Sequence, residues 1–253
     1  MRLTVVGCAG SFPGPDSPAS CYLLEAEHEG RTWRVLLDLG NGALGALQRH
    51  IDPMDVDAVL VSHLHPDHCM DLCGFYVMRS YHPRGAAPRI PVYAPEGAAE
   101  QMAAAYGLQT HPGMHEAFDF RLWEDGATHR VGPFRVTVRQ VRHPVPAYAL
   151  RVEADGAVLA YSGDTGPCDE LVEIARGADV FLAEASFREI DDNPPDLHLT
   201  GRQAGEAGRD AEVDHLVLTH VPAWFDRDTC EDEAREVFTG RLSRARSGMV
   251  LDL

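Results

Sequence analysis

The chain has 253 residues, 45% of them hydrophobic and 24% charged, and a formal net charge of −17. This is an ordinary globular balance in a length that suits one large domain or two small ones. No apolar run is long enough to cross a bilayer, and so acidic a surface repels long polyanions, which disfavours tRNA or DNA as the main substrate unless Arg clusters locally; all 22 basic residues are Arg.

The N-terminus, Met1-Arg2-Leu3-Thr4-Val5-Val6-Gly7, goes straight into a strand-like pattern without the small-residue cleavage site of a signal peptide, so a cytoplasmic protein is expected. Strands are read at 2–7 and 20–25, around a Gly/Pro/Ser/Asp-rich loop from Gly10 to Ser20 that can wall a site. Arg34–Asp38 is a strand, Ala43–His50 a short helix and Ala58–Val61 a buried β-branched strand. Asp71–Tyr81 has helical spacing, Arg89–Ala94 is a strand and Pro95–Tyr106 a helix. Gly107–Glu116 has no clear period and reads as a mobile loop, with His111 and His115 either incidental or part of a substrate lid. Strands follow at 117–122, 127–131, 134–142, 147–153 and 157–161, the last two joined by the hairpin signal Asp155-Gly156. Helices at Asp169–Arg176, Thr200–Asp210 and Thr229–Arg241 alternate with strands at Val180–Ala183 and His215–Thr219. The six cysteines (Cys8, Cys21, Cys69, Cys73, Cys168, Cys230) include no CxxC pair and read as reduced core thiols.

The most informative stretch is Ser62-His63-Leu64-His65-Pro66-Asp67-His68, directly after the 58–61 strand. His63, His65 and Asp67 are spaced two apart, so in an extended segment they point the same way and can converge on one ion. His68 follows Asp67 directly and points toward a second position, while Pro66 is suited to open a helix. Imidazole and carboxylate are the usual ligands of zinc and its neighbours. The segment closely resembles the His-x-His-x-Asp-His signature of the metallo-β-lactamase fold. That resemblance implies an α/β, four-layer αββα sandwich over residues 1–253 as one domain; periodicity alone gives only mixed α and β.

Three more ligand-type residues stand at the ends of apolar runs, where loops carry function: His143, Asp164 in Ser162-Gly163-Asp164-Thr165, and His220. Their order matches the family pattern across nearly the whole chain. The resemblance implies that His63, His65 and His143 hold one divalent ion, that Asp67, His68 and His220 hold another, and that Asp164 bridges them. The β-lactamases have Cys at the bridging position, whereas the phosphodiesterase branches have Asp. Asp38 matches the family's early Asp, which orients a ligand histidine, and Thr165 is assigned a similar part. Zinc is the default metal, with manganese or iron admitted by the same donors.

Phe181-Leu182-Ala183-Glu184-Ala185-Ser186 and Asp196-Leu197-His198-Leu199-Thr200 resemble two segments of ribonuclease Z-type enzymes that supply a Glu/His pair for protonating the leaving oxygen. Asp67, Glu184 and His198 are therefore the expected catalytic residues. Ribonuclease Z itself fits less well, because residues 144–163 leave no room for the arm that family uses to grip tRNA. Closer resemblance, through Val6-Gly7-Cys8-Ala9-Gly10-Ser11, Tyr161-Ser162-Gly163-Asp164-Thr165-Gly166, Pro194-Pro195-Asp196-Leu197-His198-Leu199 and Leu218-Thr219-His220-Val221-Pro222, is to actinobacterial cyclic-nucleotide phosphodiesterases of the metallo-β-lactamase fold. It implies hydrolysis of a cyclic nucleotide such as 3′,5′-cyclic AMP by hydroxide generated at the metal pair. The alternatives are a ribonuclease Z-like RNA 3′-processing nuclease or a hydrolase of another small cyclic phosphodiester. Trp224, Phe225 or Tyr148 could stack on a base, Trp224 foremost, although each taken alone reads more readily as a core residue. The expected partner is a small phosphodiester rather than long nucleic acid or a membrane, and the family implies a homodimer.

Overall fold

A computed structural model describes residues 1–253, the Arg227 side chain excepted. The first half runs β1 (Arg2–Gly7), β2 (Ala9–Gly10), β3 (Cys21–His28), β4 (Arg31–Leu37), α1 (Ala43–Leu47), β5 (Ala58–Leu60), α2 (Pro66–Cys69), α3 (Leu72–Ser80), β6 (Ile90–Ala94), α4 (Ala98–Tyr106) and β7 (Phe118–Leu122). The second half runs β8 (Thr128–Val131), β9 (Phe134–Val141), β10 (Ala147–Ala154), β11 (Ala157–Tyr161), α5 (Asp169–Ala175), β12 (Val180–Glu184), α6 (Gly201–Asp210), β13 (His215–Thr219), β14 (Val221–Pro222), α7 (Arg227–Arg235), β15 (Arg241–Arg244) and β16 (Val250–Asp252). Two seven-stranded sheets result, ordered β16-β1-β3-β4-β5-β6-β7 and β15-β13-β12-β11-β10-β9-β8.

Strand alternation builds the layers. In β3, Tyr22 and Leu24 enter the core between the sheets, while Cys21 and Leu23 face the opposite way, toward the helices on that sheet's outer side. Phe134, Val136 and Val138 of β9 and Leu150 and Val152 of β10 meet the inner face from the other sheet. Phe75 of α3 and Met102 of α4 cover the first sheet, and Leu171 of α5, Ala204 of α6 and Ala234 of α7 cover the second. The four-layer αββα sandwich is thus observed. Asp155 and Gly156 both have positive φ, 55° and 80°, as the tight β10–β11 hairpin requires.

Several boundaries differ from the sequence reading: β3 runs on to His28, and α1 stops at Leu47. The last helix stops at Arg235, and Arg241 instead opens β15, which pairs in parallel with β13. Its start is earlier, because the Asp226 side chain caps it by accepting from the Asp228 amide. The helix expected from Pro95 begins at Ala98, behind Gly97 in a left-handed conformation. The chain end also forms a strand: β16 pairs antiparallel with β1, in a segment too short to show a period. Among the described residues no helix is long and apolar enough to cross a membrane.

His215 opens β13 with its Nε2 2.6 Å from Ser243 Oγ, and burial, helped by Arg241, pushes its pKa down to about 4. The unfolded imidazole takes up a proton near its ordinary value of 6.5, whereas the folded one resists protonation until about 4. This contribution to stability is therefore complete above pH ~6.5 and is lost as pH falls toward ~4. Between about pH 7.5 and pH 5, His215→Gln should lose less melting temperature than the wild type. Equal losses would remove His215 from the acid response.

Candidate metal centre

The ends of β4, β5, β9, β11, β12 and β13 deliver, in chain order, Asp38, His63, His143, Asp164, Glu184 and His220 to one edge of the sandwich. Asp38 and His220 follow their strands in a left-handed backbone, φ 59° and 57°, which non-glycine residues rarely adopt. The surrounding backbone is packed closely enough to demand glycine at two places. A Cβ on Gly40 would stand 1.9 Å from the Asp67 carbonyl oxygen, and one on Gly10 would stand 2.1 Å from that of His220. Pro66 opens α2 at its first turn, so Asp67 and His68 enter the site from a helix rather than from an extended loop.

The side chains form two clusters that share Asp164: His63, His65, His143 and Asp164, then Asp67, His68, Asp164 and His220. In the first, His65 Nδ1 lies 3.0 Å from His63 Nε2 and 3.1 Å from His143 Nε2. In the second, His220 Nε2 is 3.1 Å from His68 Nε2 and 3.0 Å from Asp67 Oδ2. Asp164 points Oδ2 at His63 Nε2 (3.5 Å) and Oδ1 at His68 Nε2 (3.1 Å), one oxygen to each cluster.

These donors fit a divalent cation. Zinc with ordinary Zn–N bonds spaces tetrahedral ligand atoms about 3.3 Å apart, close to the separations here. The outward ring nitrogens are already committed: His143 Nδ1 donates to Leu197 O (2.9 Å), His68 Nδ1 to Asp38 Oδ2 (2.7 Å), and His220 Nδ1 meets Ser186 Oγ (2.7 Å). Such partners leave the Nε2 lone pairs facing inward, where they oppose one another unless a cation lies between them. Asp164 Oδ1 is buried and has no hydrogen-bond partner.

The electrostatics agree. Burial drives His63, His65 and His143 below the ordinary imidazole range, so they present neutral lone pairs. His68 is driven well above it; burial opposes this, but the carboxylates of Asp164, Asp38 and Asp67 prevail. For Asp164, burial is outweighed by His220, His68 and His63, which hold its carboxyl well below the usual range. Three buried carboxylates around His68 thus call for positive charge at this point.

Beside the second cluster, Glu184 Oε1 accepts from His198 Nδ1 and from the Thr165 amide, both at 2.9 Å, and Oε2 accepts from the Ser186 amide at 3.2 Å. Burial lowers the His198 pKa, but the Glu184 carboxylate raises it to about 9. Thr165 acts through its backbone: its hydroxyl donates to Gly166 O and touches no ligand histidine. Tyr148, 9% exposed, is part of the core between the sheets and is not positioned to stack on a substrate. Trp224 is 65% exposed, with its ring centroid 4.6 Å from that of Phe12. Sequence reasoning missed Ser62 and Tyr161, whose hydroxyls donate to Asp38 Oδ2 at 2.8 and 2.6 Å. The available signal was position alone, immediately before the histidine motif and before Ser162-Gly163-Asp164.

Residues 33–221 match the family described as the beta-lactamase superfamily domain. An uncharacterized protein of Mycobacterium leprae is 47% identical over 100% of this chain and 89% of its own. YhfI of Bacillus subtilis, a probable metallo-hydrolase, is 27% identical over 99% of both chains, and its crystal structure matches with a TM-score of 0.86. Ribonuclease Z of Mycobacterium bovis is 31% identical over 88% of this chain and 87% of its own.

Asp38→Asn keeps the shape but leaves a neutral amide against the His68 Nδ1 proton. Equilibrium dialysis with elemental analysis should find metal affinity lowered about 10- to 100-fold. Undiminished affinity would mean that Asp38 does not orient His68.

Proposed function

The chain belongs to the metallo-β-lactamase fold family and is a metal-dependent hydrolase, and on that premise we propose that it is a dinuclear phosphodiesterase opening a cyclic nucleotide, such as 3′,5′-cyclic AMP, to the monophosphate. The observation that carries this reading is the Glu184–His198 pair beside the two ligand clusters, its carboxylate buried and its imidazole half-buried. His63, His65 and His143 would hold one ion, Asp67, His68 and His220 the other, and Asp164 both. When bound, the ions, which we assign as zinc with manganese or iron as alternatives, supply Lewis-acid polarisation of the phosphoryl group and acidify the attacking water.

The remaining work belongs to the chain. Glu184 is fixed by two backbone amides, so it holds the His198 ring by Nδ1 and leaves Nε2 to donate. A ribose oxygen is a poor leaving group. As the phosphorus–ribose bond breaks and the phosphorus–water bond forms, His198 gives that oxygen its proton. Asp67 is the carboxylate we assign to take the proton of the attacking water. The β10–β11 hairpin fills the interval between His143 and Asp164, and the −17 charge disfavours a long polyanion, so a small substrate suits the site. The kinship with ribonuclease Z keeps a short RNA 3′ end as the second reading.

The test sets 3′,5′-cyclic AMP beside a 3′-extended tRNA and a p-nitrophenyl phosphodiester. Metal-replete wild type should carry two ions per chain and hydrolyse the cyclic nucleotide, and Asp164→Ala should abolish turnover. His198→Ala should lower kcat on the nucleotide by about 10²–10⁴-fold while largely sparing the p-nitrophenyl ester, whose leaving group needs no proton. Equal loss on both substrates would sink the acid role. Turnover of tRNA alone would replace the cyclic-nucleotide reading with the nuclease one.

A further inference from the structure

Beside the first ligand cluster, the loops carrying His65 and His143 enclose an apolar cleft of about 370 Å³. Pro95, Val145 and Pro146 supply much of its wall, from two different loops, and His65 lines it as well. It contains two polar groups besides that imidazole. The Gln101 amide is already spent, donating through Nε2 to the Leu64 carbonyl at 2.6 Å. Glu96 is exposed, and among the described residues its carboxylate has no hydrogen-bond or ion-pair partner. The cleft is therefore a slot with apolar walls, a metal ligand in its lining and one available carboxylate.

Resting on the phosphodiesterase reading, we propose that this cleft receives the nucleobase of the substrate, and that Glu96 accepts a hydrogen bond from an exocyclic amine of that base. Flat apolar walls suit a planar ring, and few polar groups are needed to orient it. An ionised carboxylate can only accept. It is complementary to the 6-amino group of adenine and finds no donor on unsubstituted purine, which has neither a 6-amino group nor an N1–H. A site built to bond an N–H donor rejects the analogue lacking it, because its own polar group is then left unpaired. The aromatic side of the centre is more open: the Trp224 ring lies exposed to solvent, with Phe12 and Phe225 against it.

The experiment measures kcat/KM for the 3′,5′-cyclic monophosphates of adenosine and purine riboside with the metal-loaded protein. The wild type should prefer the amine about tenfold. Glu96→Ala should bring the ratio near one, mainly through KM for the adenosine substrate, with metal content unchanged. Glu96→Gln, nearly isosteric, should narrow the ratio, since its amide nitrogen can donate to the N1 lone pair of purine. Val145→Phe, which fills the slot, should raise KM for both substrates. An unchanged ratio in both Glu96 variants with hydrolysis intact would overturn the assignment and leave the phosphodiesterase reading standing. So would a ratio that moves with Trp224→Ala instead. Hydrolysis of neither substrate by the wild type would bring down that reading and this assignment together.

Discussion

The buried carboxylate of Asp38 is the constraint around which the site is assembled. It accepts from the Ser62 amide (2.6 Å), the Ser62 hydroxyl (2.8 Å), His68 Nδ1 (2.7 Å) and the Tyr161 hydroxyl (2.6 Å). Removing a carboxylate from water costs several kcal/mol, and only a nearly complete set of donors offsets that cost. Each donor comes from a different requirement of the fold. Ser62 begins the histidine motif, His68 belongs to the second cluster, and Tyr161 ends β11 in the opposite sheet. One carboxylate therefore fixes the motif loop, sets a ligand tautomer and ties the two sheets together at the end where the chemistry lies.

That arrangement also makes the two ligand clusters unlike. Around His65 there are three imidazoles, held neutral by burial, with one oxygen of Asp164. Around His68 there are two imidazoles with Asp67 and Asp164, and with Asp38 directly behind. The second cluster carries the greater negative charge, so a cation there would be held more by Coulomb attraction and one at the first more by nitrogen donation. Glu184 stands outside both, its oxygens taken up by amide donors and His198, and with His198 and His220 it forms a third group whose ligand atoms lie within 4.8 Å of one another.

How much of this was legible in the sequence depended on the range of each interaction. The histidine motif was legible because its ligands are near neighbours with fixed directions. His143, Asp164 and His220 each end an apolar run that reads as a strand, but only their shared order with the family pattern marks them as ligands. Glu184 and His198 are 14 positions apart and were reached through resemblance, and the structure puts them 2.9 Å apart. Ser62 and Tyr161 escaped because a hydroxyl beside a motif has no spacing of its own to mark it. Tyr148 stayed open between core and stacking because an aromatic at a strand start looks the same whether its ring turns inward or outward, and the structure places it in the core. The end of the last helix was misjudged because the charged 227–235 stretch gives no apolar stripe from which to locate where the period stops; β15 and β16 are edge strands of four and three residues.

The topology explains why so many ligands reach one edge. β4, β5 and β6 pair in parallel in the first sheet, and β11, β12, β13 and β15 pair in parallel in the second, so their C-terminal ends open on a common side. In such sheets the loops after parallel strands are where side chains can converge on a ligand. β9 runs antiparallel to β10, which itself runs antiparallel to β11, so β9 points the same way as β11 and brings His143 to that edge as well. The two-residue Asp155-Gly156 turn lies at the opposite end of this meander, and lengthening it would not by itself displace a ligand. A chain of this design can change what surrounds the reacting bond by altering the loops between His65, Pro95 and Val145, while the ligand positions stay fixed by strands and by Asp38.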